Sequence, residues 1–93
     1  MKVLIYGGGA REHALAWKIK QSSLLEKLYL CKPNDGFADL GEVIDAENLE
    51  KLARISKEIG INLLVVGPEE PLINGITDEF KKIGIPAIGA DKN

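Results

Sequence analysis

The chain has 93 residues, 12 basic and 14 acidic, for a formal net charge of −2; 45% of residues are hydrophobic and 28% charged, which excludes a disordered or fibrous protein. The length suits one domain, and the near-neutral charge argues against a nucleic-acid platform, which would show a basic stripe. One Cys (Cys31) and one His (His13) exclude an internal disulfide and a His/Cys zinc site, and no apolar run reaches the roughly 18 residues of a membrane span.

Lys2–Tyr6 carries Val3, Leu4 and Ile5 and closes on Gly7-Gly8-Gly9. A short run that is apolar on both sides and ended by glycines predicts a buried parallel strand. Arg11 to about Ser22 is rich in Ala, Leu, Lys and Glu and predicts a helix. Its apolar residues fall on two stripes, Leu15 with Ile19 and Ala10 with Ala14 and Trp17. They lie about 160° apart by the helix repeat, so both cannot face one sheet. Trp17 then either covers a partner domain or packs under the Lys18 and Gln21 stems.

Leu28–Cys31 predicts a second strand, 32–41 a loop with Pro33, Asn34, Asp35, Gly36 and Gly41 as breakers, and Glu42–Ile44 a short third strand. Asp45 is the expected N-cap of the next helix, whose apolar positions are Leu49, Leu52, Ala53 and Ile59, with Gly60 as its C′ residue. Leu63–Val66 predicts the fourth strand. Pro71 opens a third helix with the stripe Leu72, Ile76, Phe80 and Ile83, stopped by Gly84. Ile85–Ile88 predicts a fifth strand, placed at a sheet edge because Pro86 lacks an N–H donor. Strands alternating with helices give an α/β fold, an open parallel five-stranded sheet with helices on both faces.

In such sheets ligands bind beyond the carboxyl ends of the strands. The stretch Gly7-Gly8-Gly9-Ala10-Arg11-Glu12-His13 joins a strand to a helix start. Glycines allow close backbone approach, and free N–H groups at a helix start favour an anion such as phosphate. Arg11 would add a bidentate cation. A tight turn with no ligand explains the glycines equally, but gives no reason for Arg-Glu-His after them. The dinucleotide fingerprint G-x-G-x-x-G matches Gly7 and Gly9 but meets Glu12 at its third glycine, and Cys31-Lys32 stands where it wants an acid. These residues argue against a nucleotide-cofactor domain of an oxidoreductase. His13, near the start of the helix, reads as a packing or capping residue. Glu69 and Glu70 are, on residue type alone, either ligands or a solvated pair at a helix start.

Gly7 to Trp17 resembles the opening motif, usually G-x-G-G-R-E-H-A-L, of the phosphoribosylamine–glycine ligases, also called glycinamide ribonucleotide synthetases. Val65-Val66-Gly67-Pro68-Glu69-Glu70-Pro71-Leu72 is similar to the family's V-G-P-E-x-P-L, and Gly84-Ile85-Pro86-Ala87-Ile88-Gly89 also fits. Ala10 stands where many members have Gly, and Pro33-Asn34-Asp35-Gly36 lacks one glycine of the usual P-G-N-x-G.

The resemblance implies a Rossmann-like pre-ATP-grasp domain at 1–93, the N-terminal substrate-binding domain of a purine-biosynthesis ligase, with the ATP-grasp part absent. The implied reaction joins glycine to 5-phosphoribosylamine as ATP becomes ADP and phosphate. The implied substrate-binding residues are Gly9, Ala10, Arg11, Glu12, Asn34, Gly36, Gly67, Pro68 and Glu69, with Glu69 accepting hydrogen bonds from ribose hydroxyls. No catalytic residue and no metal ligand is assigned here. The resemblance implies no cofactor in this domain, with ATP and magnesium or manganese serving the full-length enzyme. Expected partners are phosphoribosylamine and the ATP-grasp domain of the same chain, with no nucleic acid and no membrane; the expected compartment is the cytoplasm. The isolated chain is expected to be inactive, and a free-standing binding module without chemistry remains the alternative.

Overall fold

The computed structural model describes residues 1–7, 10–32, 38–67 and 73–89, with the side chains of residues 10, 11, 38, 73 and 74 outside the description. Five strands, β1 (Lys2–Tyr6), β2 (Lys27–Cys31), β3 (Glu42–Val43), β4 (Leu63–Val66) and β5 (Ala87–Gly89), alternate with α1 (Ala10–Lys20), α2 (Leu49–Ile59) and α3 (Ile73–Lys82). A 3-10 turn covers Ala38–Leu40. The strands form one parallel sheet in the order β3-β2-β1-β4-β5. The chain runs outward from β1 through β2 to β3, then returns to the other side of β1 to lay down β4 and β5. The reversal of strand order therefore falls between β1 and β4.

The pleat sends alternate side chains to opposite faces, and both faces are covered, which is why β1 has no polar side. Val3 and Ile5 pack with Ala16, Leu28, Leu30 and Val65 on the α1 face. Leu4 and Tyr6 pack with Leu52, Leu64, Val66, Ile76 and Phe80 on the α2–α3 face. Burial of each large apolar side chain contributes about 1.5–3 kcal/mol. Ser56, buried in α2, donates its hydroxyl to the Leu52 carbonyl at 2.8 Å, so it brings no unmet polar group into the core.

The expected third-helix stripe holds at Ile76 and Phe80, both buried, and at Ile83, which packs against them; Pro71 and Leu72 lie outside the described residues. Several expectations are corrected. The α2 N-cap is Asn48, not Asp45: its side chain accepts the Lys51 N–H at 2.8 Å. A cap must sit directly before the first helical residue to reach those N–H groups, and Asp45 lies too far upstream. Gly60 is the expected C′ residue, with φ +91° and its N–H donated to the Ser56 carbonyl.

β5 begins at Ala87 instead of Ile85, because the Ile85 N–H is donated to the Phe80 carbonyl and finishes α3. Pro86 precedes the strand and needs no donor there; its carbonyl accepts the Leu64 N–H at 2.9 Å, and β5 is an edge strand as expected. α1 ends at Lys20, short of Ser22, where two tighter bonds, Gln21 N–H to Lys18 and Ser22 N–H to Ile19, close its last turn. Leu15 and Ile19 are the stripe that faces the sheet. Trp17 is 60% exposed, so it is not packed under the Lys18 and Gln21 stems.

Candidate functional site

β1 and β4 are paired to their ends, with Tyr6 opposite Val66. Gly7 follows one strand and Gly67 the other. The Gly7 N–H is donated to the Cys31 carbonyl at 2.9 Å, and the Gly67 N–H to the Tyr6 carbonyl at 3.2 Å. Both glycines are thus held by the sheet at its carboxyl rim, on either side of the point where strand order reverses. That crevice is where open parallel sheets bind ligands.

α1 begins at this rim with Ala10, Arg11 and Glu12 as its first three residues. The first N–H groups of a helix point out of its end, and the positive end of the helix dipole lies with them. Glu12 is 1% exposed. A Cβ added to Gly7 would stand 2.9 Å from Glu12 Oε1, and one added to Gly67 would overlap that same oxygen. The carboxylate therefore lies at the floor of the crevice, against the α-carbons of both strand-end glycines. Sequence reasoning placed Glu12 near the anion but did not foresee its burial; Gly67 after an apolar strand was the available signal.

Of the expected site residues, the structure brings together Ala10 and Arg11 (as backbone), Glu12 and Gly67. Gly9, Asn34, Gly36, Pro68 and Glu69 lie outside the described residues. His13 is half-buried on α1.

A second hollow, unforeseen in the sequence, opens near the same rim on the α2–α3 face. It has a volume of about 280 Å³ and is lined by Tyr6, Cys31, Lys32, Asn48, Leu49 and Leu52 among others. Lys32 has φ +55°, and its ammonium stands 5.7 Å from the centroid of the Tyr6 ring, a cation–π contact. Lys32 at the end of β2 was the readable signal for it. Lys27 and Glu42 pair at the opposite end of the sheet, where the hydrogen bond that the ammonium donates to the carboxylate raises the lysine pKa above its ordinary value. That exposed pair is remote from the crevice. Among the described residues no three His, Cys, Asp or Glu side chains converge as a metal site requires.

The fold is shared with UDP-D-quinovosamine 4-dehydrogenase from Vibrio fischeri: TM-score 0.66 and 20% identity, over 95% of this chain and 75% of that one. At that identity the likeness establishes a Rossmann-like architecture only. Sequence relatives are much nearer. A phosphoribosylamine–glycine ligase of Caldanaerobacter subterraneus is 43% identical over 99% of this chain, and that of Brucella melitensis 47% identical over 99%. The chain spans 22% of the length of each. The trifunctional purine biosynthetic protein adenosine-3 of Drosophila pseudoobscura pseudoobscura is 39% identical over 97% of this chain, which spans 7% of it. The family model described as phosphoribosylglycinamide synthetase, N domain, matches residues 1–93. The chain belongs to the phosphoribosylglycinamide synthetase N-domain family.

Proposed function

We propose that this domain supplies the phosphoribosylamine site of a purine-biosynthesis ligase that joins glycine to 5-phosphoribosylamine. The observation that carries the reading is the crevice itself: the start of α1 and the end of β4 meet at the β1–β4 reversal, and both belong to motifs of the family. The N–H groups of Gly9, Ala10, Arg11 and Glu12 would cradle the phosphoribosyl end, with Arg11 adding charge. Glu69, two residues beyond Gly67, would accept hydrogen bonds from the ribose hydroxyls, with Gly67 and Pro68 as further substrate-binding residues at the same rim. Asn34 and Gly36 would complete the same rim after β2.

ATP, with magnesium or manganese, would convert the glycine carboxylate to an acyl phosphate on an ATP-grasp portion of a longer chain. The task of this domain is then to hold the amine of phosphoribosylamine in line with that carbonyl, so that attack forms the amide and releases phosphate. Positioning needs no acid or base from this chain. No helix among the described residues is long and apolar enough to cross a membrane, and a cytoplasmic place belongs to this same proposal.

The test is Glu69→Gln in the longer ligase. A binding role raises the apparent KM for phosphoribosylamine with a smaller effect on kcat. A collapse of kcat at unchanged substrate affinity would replace the binding role with a catalytic one.

A further inference from the structure

In strand–loop–helix turns that bind dinucleotides, the third glycine of the motif lets the helix approach the sheet closely. This chain has Glu12 at that position, and its side chain is buried instead of turned to solvent. The space it needs is vacated on the other side of the contact, at Gly7 and Gly67. Gly67 does not have a positive φ, so its backbone conformation does not call for glycine. What a methyl there would meet is the buried carboxylate of Glu12. Gly7 meets both demands, with φ +123° and the same carboxylate beside it.

We propose that Glu12 is a positioning residue: its buried carboxylate is wedged against the α-carbons of Gly7 and Gly67 and fixes the separation of these two residues, the first after β1 and the first after β4. The strand ends are already anchored by the bonds from Gly7 to Cys31 and from Gly67 to Tyr6. The wedge is a third contact, one that reaches from the first turn of α1 to both. Packed interiors respond to the loss or addition of a single methyl-sized volume, so the spacing follows the shape of this side chain. The wedge stands on geometry alone; its consequence for substrate rests on the two loops being the phosphoribosylamine site.

The test is a double-mutant cycle in the 93-residue chain, read by urea denaturation, with Glu12→Ala, Gly67→Ala and the double variant. Alone, Gly67→Ala should lower the folding equilibrium constant about tenfold or more, as overpacking does. With Glu12 already truncated, the added methyl has room, and the further loss should be only a few-fold. Independent, additive losses would overturn the wedge. If Gly67→Ala alone does not fold, the double variant should fold; a double variant that also fails would overturn it equally.

Hydrogen exchange separates positioning from general packing. Glu12→Ala should speed exchange of the Gly7 and Gly67 amides together while Leu52 and Ala53 in α2 keep their protection, and Glu12→Gln, which keeps the shape, should restore both. Uniform loss of protection across sheet and helices would contradict the proposal. In the longer ligase, Glu12→Ala should raise the KM for phosphoribosylamine. Coupled stabilities with an unchanged KM would support the wedge and overturn the substrate role of the loops.

Discussion

The Glu12 carboxylate lies against the α-carbon of Gly67: a methyl group on Gly67 would overlap Glu12 Oε1. A helix on one side of β1 and a strand on the other are thereby matched residue to residue at the rim where ligands are expected. The pairing gives a glycine in the middle of a family motif a steric reason that does not depend on backbone conformation.

Gly84 provides the contrast. It has φ +80° and open space around its α-carbon, so Gly84→Ala should cost only the backbone term, about 1–2 kcal/mol. The loss should be the same with Glu12 or Ala at position 12. A Gly84 effect that changed with residue 12 would show that such couplings are not specific to the crevice.

Asn48→Ala removes the side-chain acceptor for the Lys51 N–H and should destabilise the domain by about 1 kcal/mol. Asp45→Ala should have little effect by the same urea titration, since Asp45 is exposed and lies outside the cap. The reverse order would restore Asp45 as the cap.

Phe80 is fully buried between α3 and the sheet. Phe80→Ala should cost about 3–5 kcal/mol, a large share of the roughly 5–15 kcal/mol that holds a domain folded. Trp17→Ala, at an exposed site, should change stability by about 0.5 kcal/mol or less. Thermal unfolding of the two variants checks both, and a Trp17 loss approaching that of Phe80 would mean that the indole is packed in solution.

The 93-residue chain alone should release no ADP when given ATP, glycine and phosphoribosylamine. Glycine- and amine-dependent turnover by the purified chain would contradict the division of labour proposed above.

The strand and helix sequence was readable because β1, β2 and β4 are short runs apolar on both sides and α2 and α3 each have a stripe at the right spacing. Ile76 and Phe80 follow from that spacing directly. The ends were less readable where local bonding decides them. Asp45 and Asn48 are equally good capping types, and only the position of Leu49 as the first helical residue selects Asn48. Ile85 has strand character, yet its N–H closes α3. Trp17 sits on a stripe as apolar as its rival, and the sheet takes Leu15 and Ile19. At the site, the rim and its glycines were legible. The neighbouring of β1 and β4 required the strand order, and the burial of Glu12 between their ends is a tertiary fact that no local pattern encodes.

The most direct test of the central claim is steady-state kinetics of Arg11→Ala in the longer ligase, with each substrate varied in turn. If the start of α1 holds the phosphoribosyl end, the apparent KM for phosphoribosylamine rises about 10- to 150-fold, corresponding to loss of a charged hydrogen bond of about 1.5–3 kcal/mol, while those for glycine and ATP stay near their original values. An unchanged KM for phosphoribosylamine, or a rise confined to glycine or ATP, would remove this crevice from the phosphoribosylamine site.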